Sequence, residues 1–207
     1  MSFWRGAKQR RRGGSPGTAR MACLQILRQV HVAGPQERPA PTPNGNMTKF
    51  DPKIHHRRSI RLPGYDYSKA GAYYVTIVSH GRECLFGQVA GGEMKLSQFG
   101  KIVQYAWLDL PKHYPLVELD AFCIMPNHVH AMLILDDDGG HALSEIVRAL
   151  KTFSARRINA LRNTVGVPVW QRNYYEHIIR DNQEYLAKCG YIQDNPLNWD
   201  QDAECIP

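Results

Sequence analysis

At 207 residues the chain has room for one ordinary domain and an appendage, and its formal charge of +7 is unevenly spread. Nine of the 26 Lys and Arg lie in the first 50 residues against a single acid, Glu37, so the remainder is close to neutral and net charge is weak evidence for nucleic acid. The five cysteines, Cys23, Cys84, Cys123, Cys189 and Cys205, are scattered and form no Cys-x-x-Cys pair, which argues against a disulfide framework or a structural zinc and fits a reducing, cytoplasmic setting.

In chain order, residues 1–50 are loaded with Gly and Pro and read as a disordered basic extension, with Met47 as the expected true start. Their one apolar cluster, Leu24 to Val30, is too short to cross a bilayer, so no membrane partner is expected. His55 to Arg61 is a basic lead-in to a single domain over residues 51–207. Gly71–Ser79, rich in aromatic and β-branched residues, predicts the first strand, and a hairpin-like excursion follows through Leu85 to Gly92. Gln98–Tyr114 shows helical spacing in Ile102, Tyr105, Ala106 and Leu110, and Pro115 closes it. Val117–Met125 is the second strand, Pro126-Asn127 a tight turn, and His128–Leu135 the third strand. Leu143–Asn163 is the longest helical pattern, with Leu143, Ile146, Leu150, Phe153 and Leu161 on one side. Trp170–Ile179 is the fourth strand and Asn182–Asp194 a last helix. The sum is an α+β, ferredoxin-like split βαβ arrangement: a four-stranded antiparallel sheet with two helices on one face, plus a C-terminal helix.

Two constellations carry chemistry. In Pro126-Asn127-His128-Val129-His130 the strand period of two puts both imidazoles on one face and Val129, Ala131, Leu133 and Leu135 on the other. With both helices on the apolar face, the histidine face is expected to be open. Two convergent imidazoles can hold a metal or a phosphate, and two histidines so spaced also fit a surface pair or a hydrogen-bonded core pair. The second constellation opens with Asp181-Asn182-Gln183-Glu184, a capping box in which Asp181 accepts from first-turn amides and Glu184 reaches back. On the helix it starts, Lys188, Tyr191 and Asn195 fall at i, i+3 and i+7 and can share a face: an ammonium to attract phosphate, a phenol to attack it, an amide oxygen to help hold a metal. Tyr191 also fits a packing role. Gly190, costly inside a helix, points to a close approach there.

Pro126-Asn127-His128-Val129-His130 followed by Tyr191-Ile192-Gln193-Asp194-Asn195-Pro196 resembles the REP-associated tyrosine transposases, single-tyrosine members of the HUH endonuclease superfamily. The opening His55 to Arg61, the run Gly71 to Thr76 and Trp170 to His177 are similar to that family too, and the likeness extends over residues 47–200. The resemblance implies cleavage and rejoining of single-stranded or hairpin DNA through a phosphotyrosine. By position, Tyr191 would be the nucleophile and His128, His130 and Asn195 the ligands of a divalent Mg²⁺ or Mn²⁺. Candidate DNA contacts are Arg57, Arg58 and Arg61 in the lead-in, Arg148, Lys151 and Arg156 on the long helix, and Lys188 beside the tyrosine; the helix charges also fit a solvated face. A monomer or homodimer is expected, in the cytoplasm. Two other classes stay open: a noncatalytic ferredoxin-like nucleic-acid module of RRM type, and a metal-independent phosphoesterase using the two histidines as acid and base.

Overall fold

A computed structural model describes residues 61–136 and 140–205; Arg57 and Arg58 of the lead-in and the basic extension lie outside the described residues. Four strands form one antiparallel sheet: β1 (Gly71–Val78), β4 (Val117–Ile124), β5 (His128–Leu135) and β6 (Tyr175–Ile178), in the order β4-β5-β1-β6. The first and third strands of the predicted split βαβ unit are therefore central. The excursion after β1 is a separate hairpin of β2 (Gly87–Ala90) and β3 (Glu93–Leu96).

The alternation of β1 and β5 decides the layers. Tyr73, Val75 and Ile77 share one face with Val129, Ala131, Leu133 and Leu135, all buried in the main apolar core. Two helices cover that face: α1 (Gln98–Leu108) and α3 (Leu143–Leu161), with a short α2 (Leu110–His113) between them. The predicted first helix breaks at Asp109, because Pro111 cannot donate to the preceding turn and instead sits in the first turn of α2. Gly100 is required where α1 starts: a Cβ there would stand 2.1 Å from the Phe86 carbonyl oxygen.

The predicted faces hold in the main, with Ala106, Leu110, Leu143, Ile146 and Leu150 buried and Ile102 packed on the core, but not at every position. Val103, Ala106 and Trp107 are buried and Tyr105 is exposed; on α3, Val147, Ser154 and Ile158 are buried with Leu150, while Phe153 and Leu161 are exposed. Phe153 stacks on His113 instead. Ser154 enters the core because the buried Trp170 indole donates to its hydroxyl at 2.9 Å, and that hydroxyl donates on to the Leu150 carbonyl. Trp170 itself lies before β6, joined to Ser79 by a single bridge, so the fourth strand is shorter than its sequence suggests.

The histidine face is covered. α4 (Asn182–Asp194) packs against it, burying Tyr185, Cys189 and Ile192 at i, i+4 and i+7. A bulge in β4 between Leu119 and Phe122 sets two residues against Met132 and brings Asp120 to the Tyr185 hydroxyl, which donates to it. Beyond α4 a 3-10 segment, Asn195–Gln201, leads into residues 202–205, which close over the histidines. The open face expected for His128 and His130 is thus corrected: the apolar stripe of α4 needed a partner, and Met132 and Ile134 on the same pleats supplied it. The four described cysteines are free, and no helix among the described residues is long and apolar enough to cross a membrane.

Candidate active site

His128 and His130 sit on adjacent like-facing pleats of β5, in register with Val78 and Thr76 of β1. Both are buried, and their Nε2 atoms lie 2.9 Å apart. The surrounding hydrogen bonds settle their orientation. Asn127 Nδ2 donates to the carbonyls of Arg82 (3.2 Å) and Glu204 (2.7 Å), so its Oδ1 accepts from His128 Nδ1 at 2.8 Å. Neutral His128 therefore presents a bare Nε2 lone pair. Burial, with His130 beside it, pushes the His128 pKa down to about 3, so the ring is neutral at ordinary pH.

On His130 the distal nitrogen meets Tyr74 and Thr76: Nδ1 is 2.7 Å from the Tyr74 hydroxyl and 2.9 Å from the Thr76 hydroxyl. With one proton between the two Nε2 atoms, His130 accepts from Tyr74. Seating a cation on both Nε2 atoms needs that proton on Nδ1, where the same two oxygens stand ready to accept it. Tyr74→Phe is expected to weaken Mn²⁺ binding about tenfold, read by calorimetric titration, with Thr76 left as the partner of His130. An unchanged affinity would show that Tyr74 does not orient the ring.

A carboxylate completes the cluster. Asp202 Oδ2 lies 3.8 Å from His130 Nε2 and 4.0 Å from His128 Nε2, and the three side chains could share one metal ion. Burial pushes the Asp202 carboxyl up, but His130, the Glu204 backbone amide and Asn195 together outweigh it and hold it well below the usual carboxylate range. Asp202 was not among the residues the sequence singled out; it lies 72 positions beyond His130 and arrives because the Asn127–Glu204 hydrogen bond and an Arg82–Glu204 ion pair of 3.3 Å tie down the tail.

Tyr191 and Asn195 meet at this carboxylate. The Tyr191 hydroxyl donates to Asp202 Oδ2 at 3.1 Å, and Asn195 Nδ2 donates to the same atom at 3.0 Å. Asn195 Oδ1 is buried with no hydrogen-bond partner among the described residues, an acceptor left for a ligand. Tyr191 is 46% exposed, its ring edge-on to His130 at 5.1 Å between centroids. Burial, then the Asp202 carboxylate, pushes its pKa up to about 12. Lys188 holds its ammonium 4.7 Å from the centre of the Tyr74 ring and 6.0 Å from that of Tyr191. Lys188 and Tyr191 of α4 and Asn195 of the 3-10 segment that follows thus gather on the histidine side.

Two local readings need correction. The capping box forms by half: Asp181 accepts from the Glu184 amide at 2.8 Å, but Glu184 accepts from the Arg180 amide and pairs with His177 rather than reaching the Asp181 amide. At Gly190 a Cβ would meet nothing within 4 Å among the described residues, so no close approach by them explains that glycine.

The remaining basic residues lie elsewhere. Arg61, Arg148, Lys151 and Arg156 line one groove beside α3, on the helix side of the sheet, away from Lys188. Arg61 is 3.4 Å from the buried Glu176 carboxylate and donates to the Tyr174 hydroxyl. Lys151 donates to the carbonyls of Gln171 (2.6 Å) and Arg172 (3.0 Å), and burial pushes its pKa down to about 8.

Comparison with known proteins gives this geometry a family. The family described as Transposase IS200 like matches residues 112–195, which include both histidines and Tyr191. An uncharacterized Haemophilus influenzae protein is 39% identical over 175 residues, covering 75% of this chain and 96% of that one. The REP-associated tyrosine transposase of Escherichia coli K12 is 25% identical over 134 residues, covering 63% and 69%. The same fold occurs in a solved REP-associated tyrosine transposase bound to a REP hairpin, with a TM-score of 0.53 at 20% identity, covering 68% of this chain and 74% of that one. The chain belongs to the family of IS200-like and REP-associated tyrosine transposases.

Proposed function

We propose that this transposase cleaves and rejoins single-stranded DNA through a 5′-phosphotyrosine on Tyr191, assisted by a divalent cation on His128 and His130. One observation carries the reading: within a single chain, the Tyr191 hydroxyl and both imidazole Nε2 atoms converge on one oxygen of Asp202. The donor set fits a hard or borderline divalent ion, Mg²⁺ or Mn²⁺: two imidazoles, a carboxylate and the unpartnered Asn195 oxygen. When bound, the ion supplies Lewis-acid charge to the non-bridging oxygens of the scissile phosphate.

The protein's own groups do the rest. The Tyr191 oxygen attacks phosphorus in line; its new O–P bond forms as the bond to the 3′ oxygen breaks, and the phenolic proton ends on that departing oxygen. Return attack by the 3′ hydroxyl reverses the step, so the phosphodiester energy is conserved and no nucleotide cofactor is needed. Lys188, held against the Tyr74 ring one helical turn before Tyr191, attracts the phosphate. Hairpin-forming palindromic repeats are the proposed substrate, a reading supported by the REP hairpin in the solved relative. A scissile bond in a closed duplex is stacked and paired, so the strand reaches Tyr191 unpaired.

The test is covalent adduct formation with an end-labelled single-stranded oligonucleotide, resolved on a denaturing gel. The adduct is expected with Mn²⁺ or Mg²⁺, to vanish with a chelator and to return on adding Mn²⁺. Chelator-insensitive cleavage would favour the two-histidine phosphoesterase, and binding without cleavage under every divalent condition would favour the noncatalytic module.

A further inference from the structure

Three tyrosine rings stand in a file on the histidine side. Tyr175 opens β6 in register with Thr76, whose hydroxyl meets His130, so its side chain shares that side of the sheet. Its ring centre is 6.2 Å from that of Tyr74, and Tyr74 is 6.4 Å from Tyr191, both pairs set edge to face. Tyr74 is buried, while Tyr175 and Tyr191 are 49% and 46% exposed. The Tyr74 hydroxyl meets His130 and the Tyr191 hydroxyl meets Asp202, whereas that of Tyr175 has no hydrogen-bond partner among the described residues.

A lone exposed tyrosine needs no explanation. Tyr175 is set apart by its place in the fold. β6 is an edge strand, and the main apolar core lies on the other face of the sheet, so the ring fills no gap in that core. Its neighbour Tyr174 is used structurally, its hydroxyl accepting from Arg61, but no such bond holds Tyr175. The ring is thus free of the two tasks that usually fix a tyrosine, packing in the core and anchoring by its hydroxyl.

The surroundings select the ligand. Lys188 holds its ammonium beside the middle ring of the file, 4.7 Å from the centre of Tyr74. A half-open π face with an ammonium one ring away matches a nucleotide, the base on the ring and a phosphate at the ammonium. An arginine guanidinium also stacks on tyrosine, but Lys188 repels it. In a duplex the bases already stack on one another, so the base taken here is unpaired. Tyr74 is buried and offers no free face, so a strand running along the file crosses it with a phosphate toward Lys188 and sets its base down on Tyr175.

We infer that Tyr175 is a specificity residue, the stacking platform for an unpaired base that flanks the scissile phosphate. The inference rests on the cleavage reading and deepens it, since stacking on Tyr175 sets how far the strand runs past Tyr191. Recognition is by the ring alone and not by the hydroxyl. A purine, with the larger π face, is held better than a pyrimidine, and no base is read by hydrogen bonds from Tyr175.

The test separates ring from backbone with single strands of equal length and charge. Full-length protein in a Tyr191→Phe background, so that Tyr191 forms no adduct, is titrated with oligodeoxyadenylate, oligodeoxythymidylate and a fully abasic strand, each of about six nucleotides. Tyr175→Ala is expected to weaken binding of the adenylate strand about tenfold, of the thymidylate strand by less, and of the abasic strand not at all. Tyr175→Leu, which keeps most of the side-chain volume against Tyr74, is expected to show the same pattern, and Tyr175→Phe to bind all three strands as the parent does. Unchanged affinity for the adenylate strand in both Tyr175→Ala and Tyr175→Leu would overturn the proposal. So would equal losses on all three strands, which would make Tyr175 a support of the fold or of the backbone path. Failure of the unaltered protein to form any Tyr191 adduct would sink the cleavage reading but leave this comparison of binding standing.

Discussion

Tyr191→Phe is expected to abolish the covalent DNA adduct, a loss of at least about a thousandfold, while leaving oligonucleotide binding intact. The substitution removes one oxygen, and the hydrogen bond it loses among the described residues is the exposed one to Asp202. Its cost in stability is therefore about 1 kcal/mol or less, and the ring keeps its edge-on contact with His130. Adduct yield on a denaturing gel and affinity by fluorescence anisotropy, measured on the same preparation, separate nucleophile from binding group. The structure also ranks the substitutes should an adduct persist. Tyr185 is fully buried and donates to Asp120, and Tyr174 belongs to the groove on the other face. Among the described residues Tyr175, beside the buried Tyr74, is the other exposed tyrosine on the histidine side. A persistent adduct in Tyr191→Phe that disappears in Tyr175→Phe would move the nucleophile there.

The second large effect is at His128. His128→Ala is expected to remove metal-dependent cleavage, at least about a hundredfold, together with most of the affinity for Mn²⁺. Here the burial of the ring matters. Truncation leaves Asn127 Oδ1 without its donor and opens space under the tail, costing about 1–3 kcal/mol and lowering Tm by several degrees. The domain still folds, because the main core of Val75, Ile77, Val129, Leu133 and Leu150 is on the other face of the sheet. His128→Gln keeps more of the volume and serves as the second variant. Mn²⁺ titration with far-UV circular dichroism on both decides the matter: a folded protein with unimpaired metal affinity would make His128 a packing residue, and loss of the fold in both would make it a core one.

Much of this was legible beforehand because the signals are local. A strand turns its side chains over every residue, so His-x-His commits both imidazoles to one face, and the apolar Val129, Ala131, Leu133 and Leu135 name the other. Helical spacing likewise brings Lys188 and Tyr191 to one side of α4. The tail was not legible. Asp202 stands in no periodic pattern, and its approach to His128 depends on Asn127 reaching a backbone carbonyl at Glu204, 77 positions away. The covered histidine face had a signal in the stripe of Tyr185, Cys189 and Ile192, but a stripe says only that a helix must be buried, not against which surface.

The basic residues divide in the same way. Arg148 and Arg156 declare a charged side of α3 through their spacing, whereas Arg172 joins them only because Lys151 draws its segment in, and Lys188 is carried to the opposite face with its helix. The sequence by itself determined which atoms could do chemistry and which face of each element they occupy, since backbone geometry repeats every two or 3.6 residues. The tertiary structure alone decided which of those faces meet, because contacts between distant segments are chosen by burial and hydrogen bonding across the whole fold.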